Sequence, residues 1–157
     1  MAPSKKKKIA KSAYDPVKTK QAKEIENPTS LLSCHPSWSF ASADQEGPWA
    51  FSKDRLHVSF WEKVFPKLID WEKMTWQDIF LAAKKQNHHI PTEQLIKRAM
   101  DRIKELQLFP EDLLSLRLGG TLRLYGFLSG PVYVILWYDD NHGDNDTCVC
   151  RSYKKHT

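Results

Sequence analysis

Residues 117–126 read Arg117-Leu118-Gly119-Gly120-Thr121-Leu122-Arg123-Leu124-Tyr125-Gly126 and predict two short β-strands joined by a Gly-Gly turn. Successive side chains of a strand point to opposite faces of a sheet. The leucines of both strands therefore share one face, and Arg117, Arg123 and Tyr125 share the other. If the leucine rows enter the core, the second face is an outer surface that carries two cations beside a tyrosine. Such a surface suits a phosphodiester backbone, so we interpret it as a nucleic-acid site.

The overall composition is that of a water-soluble globular domain. The chain has 157 residues, of which 41% are hydrophobic, and this length favours one domain rather than two. No apolar run approaches the ~20 residues of a membrane helix, and no apolar segment follows the N-terminal lysines as a secretory signal requires. Cys148 and Cys150 are too close in sequence for a good disulfide geometry. We therefore expect a cytoplasmic protein without a membrane partner.

The positive charge is concentrated at the N-terminus. Residues 1–26 contain eight lysines against Asp15, Glu24 and Glu26, whereas the remaining residues carry 16 basic and 16 acidic side chains. Residues 1–27 have too few large apolar groups to offset chain entropy, which predicts a flexible basic arm. This arm either attracts nucleic acid non-specifically or only improves solubility. We place a single folded domain at residues 28–157.

Between the arm and residue 110, the pattern predicts one strand and three helices. The strand covers 37–42, and the first helix begins at Ser52 or Asp54 and is kinked by Pro66. Thr75 to Asp78 forms a capping box that begins a second helix, ending near Gln86. The third helix begins at Pro91. His88 and His89 then fall in a loop between the last two helices.

After residue 110 the hydrophobic period changes from helical to alternating. The two strands of the Gly-Gly hairpin are followed by a mostly apolar strand at 132–138, predicted to be central, and by a last strand at 147–153. The fold class is therefore α+β, with an N-terminal strand, three helices and an antiparallel sheet of three to four strands.

The C-terminal third resembles the RelE superfamily of bacterial toxins, in particular its YoeB-like branch. The shared residues are Arg117-Leu118, then Arg123-Leu124-Tyr125, and finally Cys150-Arg151-Ser152-Tyr153. The resemblance implies a RelE-like fold and a metal-independent endoribonuclease without a cofactor. It also implies that the enzyme cleaves mRNA, commonly on the ribosome, and that a protein antitoxin neutralises it.

The resemblance assigns roles to residues in the matching motifs. Arg123 is the first candidate for stabilising the scissile phosphate and Arg117 the second, while Tyr153 lies in the zone of proton transfer. His142 and His156 are added as acid or base candidates because histidine titrates near neutrality, with an ordinary pKa of ~6.5. Contacts to RNA are expected from Tyr125, Tyr133, Trp137, Arg151, Lys154 and Lys155.

Several alternatives remain open at the level of sequence. Tyr133 and Trp137 either stack on bases, or belong to the core if the sheet is covered on both sides. The acidic loop 139–146 with His142 is either a solvated turn or the centre of a metal-dependent hydrolase. No standard zinc spacing joins Cys34-His35 to Cys148 and Cys150. The same fold could also be a module that binds RNA or protein without cleavage.

Overall fold

The computed structural model describes residues 28–83, 85–143 and 148–150, with the side chains of 28–30 left out of the description. All of its helical segments precede the last three strands. The α-helices are α1 (Pro28–Ser33), α2 (Lys53–Ser59), α3 (Phe65–Glu72), α4 (Trp76–Ala82) and α5 (Lys97–Glu105), with a π-helical turn at Phe60–Val64 and a 3-10 turn at Thr92–Gln94. The predicted arm, residues 1–27, lies outside this description.

The strands form one open five-stranded sheet, which confirms the α+β class. They are β1 (Ser37–Ser39), β2 (His88–Pro91), β3 (Asp112–Gly119), β4 (Leu122–Ser129) and β5 (Val132–Asp139). The spatial order is β1-β5-β4-β3-β2. Three neighbouring pairs are antiparallel, but β1 pairs with β5 in parallel. The neighbouring strands β2 to β5 are antiparallel, in line with the expected antiparallel sheet of three to four strands, and the parallel β1 makes the whole sheet mixed.

The Gly-Gly hairpin is confirmed as β3 and β4. Gly119 and Gly120 have φ angles of 151° and 51°. Residues with a side chain rarely adopt these positive values, which explains why two glycines stand at the turn. Arg117 pairs directly with Arg123 across the two strands, so their side chains project from the same face of the sheet.

One face of the sheet packs against helices α2 to α4, and we call it the helical face. The predicted capping box of α4 is confirmed, because Thr75 and Asp78 bond each other's backbone N–H groups. Pro66 lies in the first turn of α3, directly after the π-helical turn, which is the interruption that proline predicts. The leucine rows enter the core on this side, with the buried residues Leu114, Leu116, Leu124, Tyr133, Ile135 and Tyr138 from the sheet and Leu56, Val64, Leu68, Trp71, Trp76 and Ile79 from the helical layer.

The opposite face is also covered, and we call it the α5 face. Ala99 and Ile103 of α5, Trp49 of the loop after β1, and residues 148–150 pack against Leu113 and Tyr125 of the sheet. Asp44 anchors the loop, because its carboxylate accepts hydrogen bonds from Arg102 and Trp137. An outer sheet surface open to solvent was therefore a wrong expectation for most of this face.

Several element boundaries differ from the sequence expectations. The first strand ends at Ser39 rather than Ser42, and α4 ends at Ala82 rather than near Gln86. Pro91 ends a strand instead of beginning a helix, because His88–Pro91 pairs with β3 as an edge strand. Of the last predicted strand, Cys150 forms a single antiparallel bridge with Leu95, and residues 147 and 151–153 lie outside the described residues. Within the described ranges, no helix combines the length and apolarity needed to span a lipid bilayer.

Candidate functional site

A row of charged side chains crosses the α5 face at one end of the sheet. The register pairs Arg117 of β3 with Arg123 of β4, and Arg123 with Asp139 of β5. We call these three residues the arginine row. In the next row along the strands, Ser115 pairs with Tyr125 and Tyr125 with Trp137. The pleat therefore brings both predicted arginines together.

Arg123 is almost completely covered. It is 8% exposed, and its Nη1 donates to the carbonyl oxygens of Gly120 at 2.8 Å and Leu122 at 2.9 Å. Burial lowers the pKa of Arg123, and the nearby positive charge of Arg117 lowers it further. The two turn carbonyls thus hold one end of the guanidinium group.

Arg117 is more accessible and lies at the rim of a cavity. Its Nη1 donates to Gln86 Oε1 at 2.6 Å, and its backbone N–H donates to Asn87 Oδ1 at 2.8 Å. The cavity has a volume of about 310 Å³ and is bordered by Gln86, Asn87 and Arg117 on one side and by helix α4 on the other. In the described part of the chain, no carboxylate lies within ion-pair distance of Arg117 or Arg123, whereas Arg55 and Arg102 each have such a partner.

Asp139 is the acidic member of the arginine row but forms no ion pair with Arg123. Its carboxylate instead accepts hydrogen bonds from the backbone N–H of Asn141 at 2.9 Å and of Val149 at 3.4 Å. Burial raises the pKa of Asp139, and these hydrogen bonds oppose that shift. Asp139 therefore binds the backbone of the two segments that follow β5, at Asn141 and at Val149. Residues 144–146 of the acidic loop lie outside the described residues, so the interpretation of this loop as a metal-dependent centre stays a hypothesis.

His142 meets Tyr125 and two cysteines beside the arginine row. Its Nδ1 is 3.3 Å from Tyr125 Oη and 3.6 Å from Cys148 Sγ. Cys150 Sγ is 3.9 Å from Tyr125 Oη and 4.0 Å from Cys148 Sγ. The hydrogen bond with Cys150 and burial raise the pKa of the Cys148 thiol. Burial also raises the pKa of Tyr125 well above its ordinary value, with the neighbouring Cys150 contributing.

His88 is a site residue that the sequence analysis missed. Strand β2 pairs His88 with Ser115, so its half-buried imidazole lies on the α5 face. Burial lowers the pKa of His88, and the charge of Arg123 is among the further groups that lower it. A histidine pair before a proline carries no strand signal of its own, so only the pairing with β3 reveals this position.

Unpartnered polar atoms accumulate around the same positions. His88 Nδ1, Ser115 Oγ and Arg117 Nε are buried and lack a hydrogen-bond partner among the described residues. Most buried polar groups in proteins are satisfied, so each exception asks for an explanation. Three of the four such atoms in the described residues thus lie at neighbouring strand positions of one face, and the fourth is Trp38 Nε1.

The predicted stacking platforms are not available as surfaces. Tyr125, Tyr133 and Trp137 have no exposed area, so the alternative in which Tyr133 and Trp137 belong to the core is the correct one. A register shift after Tyr125 places Tyr133 on the helical face and Trp137 on the α5 face. Tyr133 Oη donates to the Leu114 carbonyl at 2.8 Å. These rings pack the core and cannot stack on a base in this conformation.

The remaining predicted site residues follow Cys150. Tyr153 and His156, expected in proton transfer, and Arg151, Lys154 and Lys155, expected to contact RNA, all lie outside the described residues. Their roles therefore stay predictions. Comparison with known proteins finds no matching family model, no matching curated protein and no matching solved structure.

Proposed function

We propose that this chain is a RelE-like endoribonuclease that cleaves mRNA by 2′-hydroxyl attack, with Arg117 and Arg123 stabilising the scissile phosphate. The observation that carries the proposal is the arginine row: two arginines occupy paired strand positions, and no carboxylate in the described part of the chain forms an ion pair with either of them. Two arginines at directly paired strand positions without an ion-pair partner favour an anionic ligand.

Phosphate is the anion that best suits this pair. The planar guanidinium fork matches two phosphate oxygens at once. Burial of Arg123 strengthens its interaction with an anion, because water screens the charge less there. An extra negative charge develops on the phosphorus in the transition state, and preorganised cations stabilise it most effectively in such a site. The cavity between the end of β3 and helices α3 and α4 gives an anion access to Arg117.

The reaction also needs a base and an acid. The base removes the proton of the ribose 2′-hydroxyl, which DNA lacks, and the acid protonates the departing 5′-oxygen. His88 suits the base, because burial lowers its pKa and so favours the neutral imidazole, and because its Nδ1 has no partner in the described residues. His142, Tyr153 and His156 are the candidate acids. No step of this scheme requires a metal ion.

A specific observation also supports a binding role. Val58, Trp61, Phe65 and Ile69 are exposed along one side of the α2–α3 segment, and we call them the apolar stripe. Exposed apolar patches of this kind are typical of surfaces that another protein covers. The stripe favours a protein partner, which for a RelE-like enzyme is the antitoxin. It equally supports the second candidate function, a module that binds RNA or protein without cleavage.

The test combines growth with cleavage of a defined RNA. The full chain should arrest the growth of a bacterial host that lacks the antitoxin. The purified chain should cut an RNA to leave a 2′,3′-cyclic phosphate, and a single 2′-deoxy nucleotide at the cut site should block that cut. Arg117→Gln should lower the cleavage rate about 10²–10³-fold, the usual loss for one donor to a developing negative charge. Arg98→Gln, an exposed arginine of α5 outside the row, should cleave like the parent.

The outcomes separate the candidate functions. Products with a 5′-phosphate, or cleavage that tolerates the 2′-deoxy nucleotide, would identify a metal-dependent hydrolase instead. RNA binding that Arg117→Gln weakens, without cleavage or growth arrest, would identify the binding module. If the chain neither binds nor cuts RNA, both readings of the arginine row are wrong.

A further inference from the structure

Three side chains that metals favour converge at the end of β5. Cys148 Sγ is 3.6 Å from His142 Nδ1 and 4.0 Å from Cys150 Sγ. A ligand atom of each residue lies within 4.8 Å of the ligand atoms of the other two. We propose that His142, Cys148 and Cys150 bind one Zn²⁺ ion. This inference goes beyond the proposed ribonuclease function, because it concerns a metal site that the cleavage scheme does not use.

The distances between the three atoms agree with tetrahedral zinc. Bonds of about 2.3 Å to sulfur and about 2.0–2.1 Å to nitrogen imply contacts of about 3.8 Å between two sulfurs and about 3.5 Å between nitrogen and sulfur. The Cys148–Cys150 and His142–Cys148 separations exceed these values by only a few tenths of an ångström. The third separation, between His142 and Cys150, is within 4.8 Å. The ion therefore fits with small side-chain movements and leaves the backbone in place.

The backbone holds the ligands together without the metal. Val149 accepts a hydrogen bond from Ile96 N–H at 3.0 Å, and Cys150 forms a bridge with Leu95. Cys148, Val149 and Cys150 are all buried in the core of the α5 face, and the two cysteine sulfur atoms lie 4.0 Å apart on one side of the segment. His142 is fixed separately, by its backbone N–H to the Thr121 carbonyl at 3.1 Å. The Cys-x-Cys spacing thus supplies two ligands on one side of the chain.

The donor set and the charge select zinc. Two thiolates and an imidazole suit Zn²⁺, whereas Mg²⁺ and Ca²⁺ prefer oxygen ligands. Both cysteines are 2% exposed, and binding releases one proton from each thiol. The resulting site is neutral, since two thiolates balance the ion, and a neutral site is compatible with burial next to the arginine row.

Tyr125 completes the surroundings of the ion as a positioning residue. Its hydroxyl donates to Cys150 Sγ at 3.9 Å and lies 3.3 Å from His142 Nδ1. Hydrogen bonds of this kind orient metal ligands. The three side chains leave the fourth position of a tetrahedral zinc ion open to a water molecule. The metal withdraws His142 from proton transfer, which leaves Tyr153 and His156 as the candidate acids of the ribonuclease.

The test uses the full chain, purified under reducing conditions without chelator. We expect one zinc ion per chain by elemental analysis. Cobalt titrated into the metal-free protein should give the thiolate charge-transfer band and the intense visible bands of a tetrahedral site. Loss of an outer-shell partner weakens metal affinity about 10–100-fold. We expect a larger loss of affinity from each ligand variant, namely Cys148→Ser, Cys150→Ser and His142→Ala. Tyr125→Phe should fall within that range.

Cys34→Ser is the matched control, because Cys34 lies in the segment before β1 and outside the His142–Cys148–Cys150 group. It should bind metal like the parent chain. The cobalt spectrum of the unsubstituted protein keeps the test decisive even if a cysteine variant fails to fold. The proposal is overturned if the reduced chain binds neither zinc nor cobalt, if Cys34→Ser weakens binding equally, or if Cys148 and Cys150 are found joined as a disulfide. A chain that binds zinc but leaves RNA intact would refute the ribonuclease and keep the metal site.

Discussion

Replacing Asp44 with asparagine tests how the loop after β1 is fixed over the α5 face. Asp44 is 3% exposed, and its carboxylate accepts hydrogen bonds from Arg102 Nε at 2.8 Å, Arg102 Nη2 at 2.7 Å and Trp137 Nε1 at 3.0 Å. Asparagine has the same size but no charge. Its amide keeps one acceptor oxygen and replaces the other by a donor, so either Arg102 Nη2 or the pair Arg102 Nε and Trp137 Nε1 would face a donor.

The magnitude follows from the burial of the pair. Removing one partner of a buried ion pair costs about 3–5 kcal/mol. The Arg102 side chain is 23% exposed and has a second ion-pair partner, Glu105, whose Oε2 is 2.9 Å away. We therefore expect the lower end of that range, about 3 kcal/mol of unfolding free energy. Urea unfolding at pH 7, followed by tryptophan fluorescence, measures this loss.

Asp101→Asn is the matched control on the same side of the molecule. Asp101 pairs with Lys97 at 3.0 Å on α5, with side chains 49% and 83% exposed. Exposed pairs of this kind contribute about 0–1 kcal/mol, so the control should differ little from the parent chain.

The effect of Asp44→Asn should depend on pH in a defined direction. Burial raises the pKa of Asp44, but the hydrogen bonds from Arg102 and Trp137 outweigh burial and lower the pKa overall. A lowered folded-state pKa stabilises the fold above the unfolded-state pKa of about 3.9. That stabilisation is lost as the pH falls through the folded-state pKa. The difference between parent and variant should thus stay constant from pH 7 to 5 and shrink below about pH 4. A difference in unfolding free energy between parent and variant of under about 0.5 kcal/mol at pH 7 would refute this reasoning. A larger difference that does not shrink in acid would refute it as well.

Three further predictions concern the sheet and the helix α4. Gly126→Ala should lower the unfolding free energy by more than the about 1–3 kcal/mol of ordinary overpacking, because a Cβ there would collide with a backbone carbonyl oxygen of β5. A melting temperature close to that of the parent would contradict this prediction. Tyr133→Phe should lower the unfolding free energy by about 1–2 kcal/mol, since it removes the hydrogen bond to the Leu114 carbonyl; urea unfolding indistinguishable from the parent would argue against this. Thr75→Ala removes the capping box with Asp78 and should lower the unfolding free energy by about 1 kcal/mol. Amide hydrogen exchange in the first turn of α4 should become faster, and unchanged exchange would count against the cap.

Local sequence patterns predicted the features that depend on near neighbours. The alternation of leucine with Arg117, Arg123 and Tyr125 predicts which side chains share a face, and the register confirms it. The capping box of α4 was equally visible, because it depends on residues three apart. These features were predictable because periodicity and turn chemistry act within a few residues.

The features that the sequence did not reveal depend on contacts between distant segments. His88 joins the site only because the segment 88–91 pairs with β3 as an edge strand. Tyr133 and Trp137 separate because a register shift between β4 and β5 changes the alternation after Gly126. The parallel pairing of β1 with β5 follows from the path of the whole chain. Single-sequence patterns contain no signal for any of these.

The composition of the strands distinguishes a site from a core. Strands of a sheet that is covered on both faces are usually continuous apolar runs, because each face is buried. Here Ser115, Arg117, Arg123 and Asp139 interrupt such runs on the α5 face only, at one end of the sheet. Burying Arg123 and Asp139 without joining them in an ion pair destabilises the fold relative to apolar residues of similar size. Sequences depart from the most stable choice mainly where function requires it. The arginine row therefore costs stability that the fold does not require, which is why we propose a function for it and for the adjacent His142–Cys148–Cys150 group.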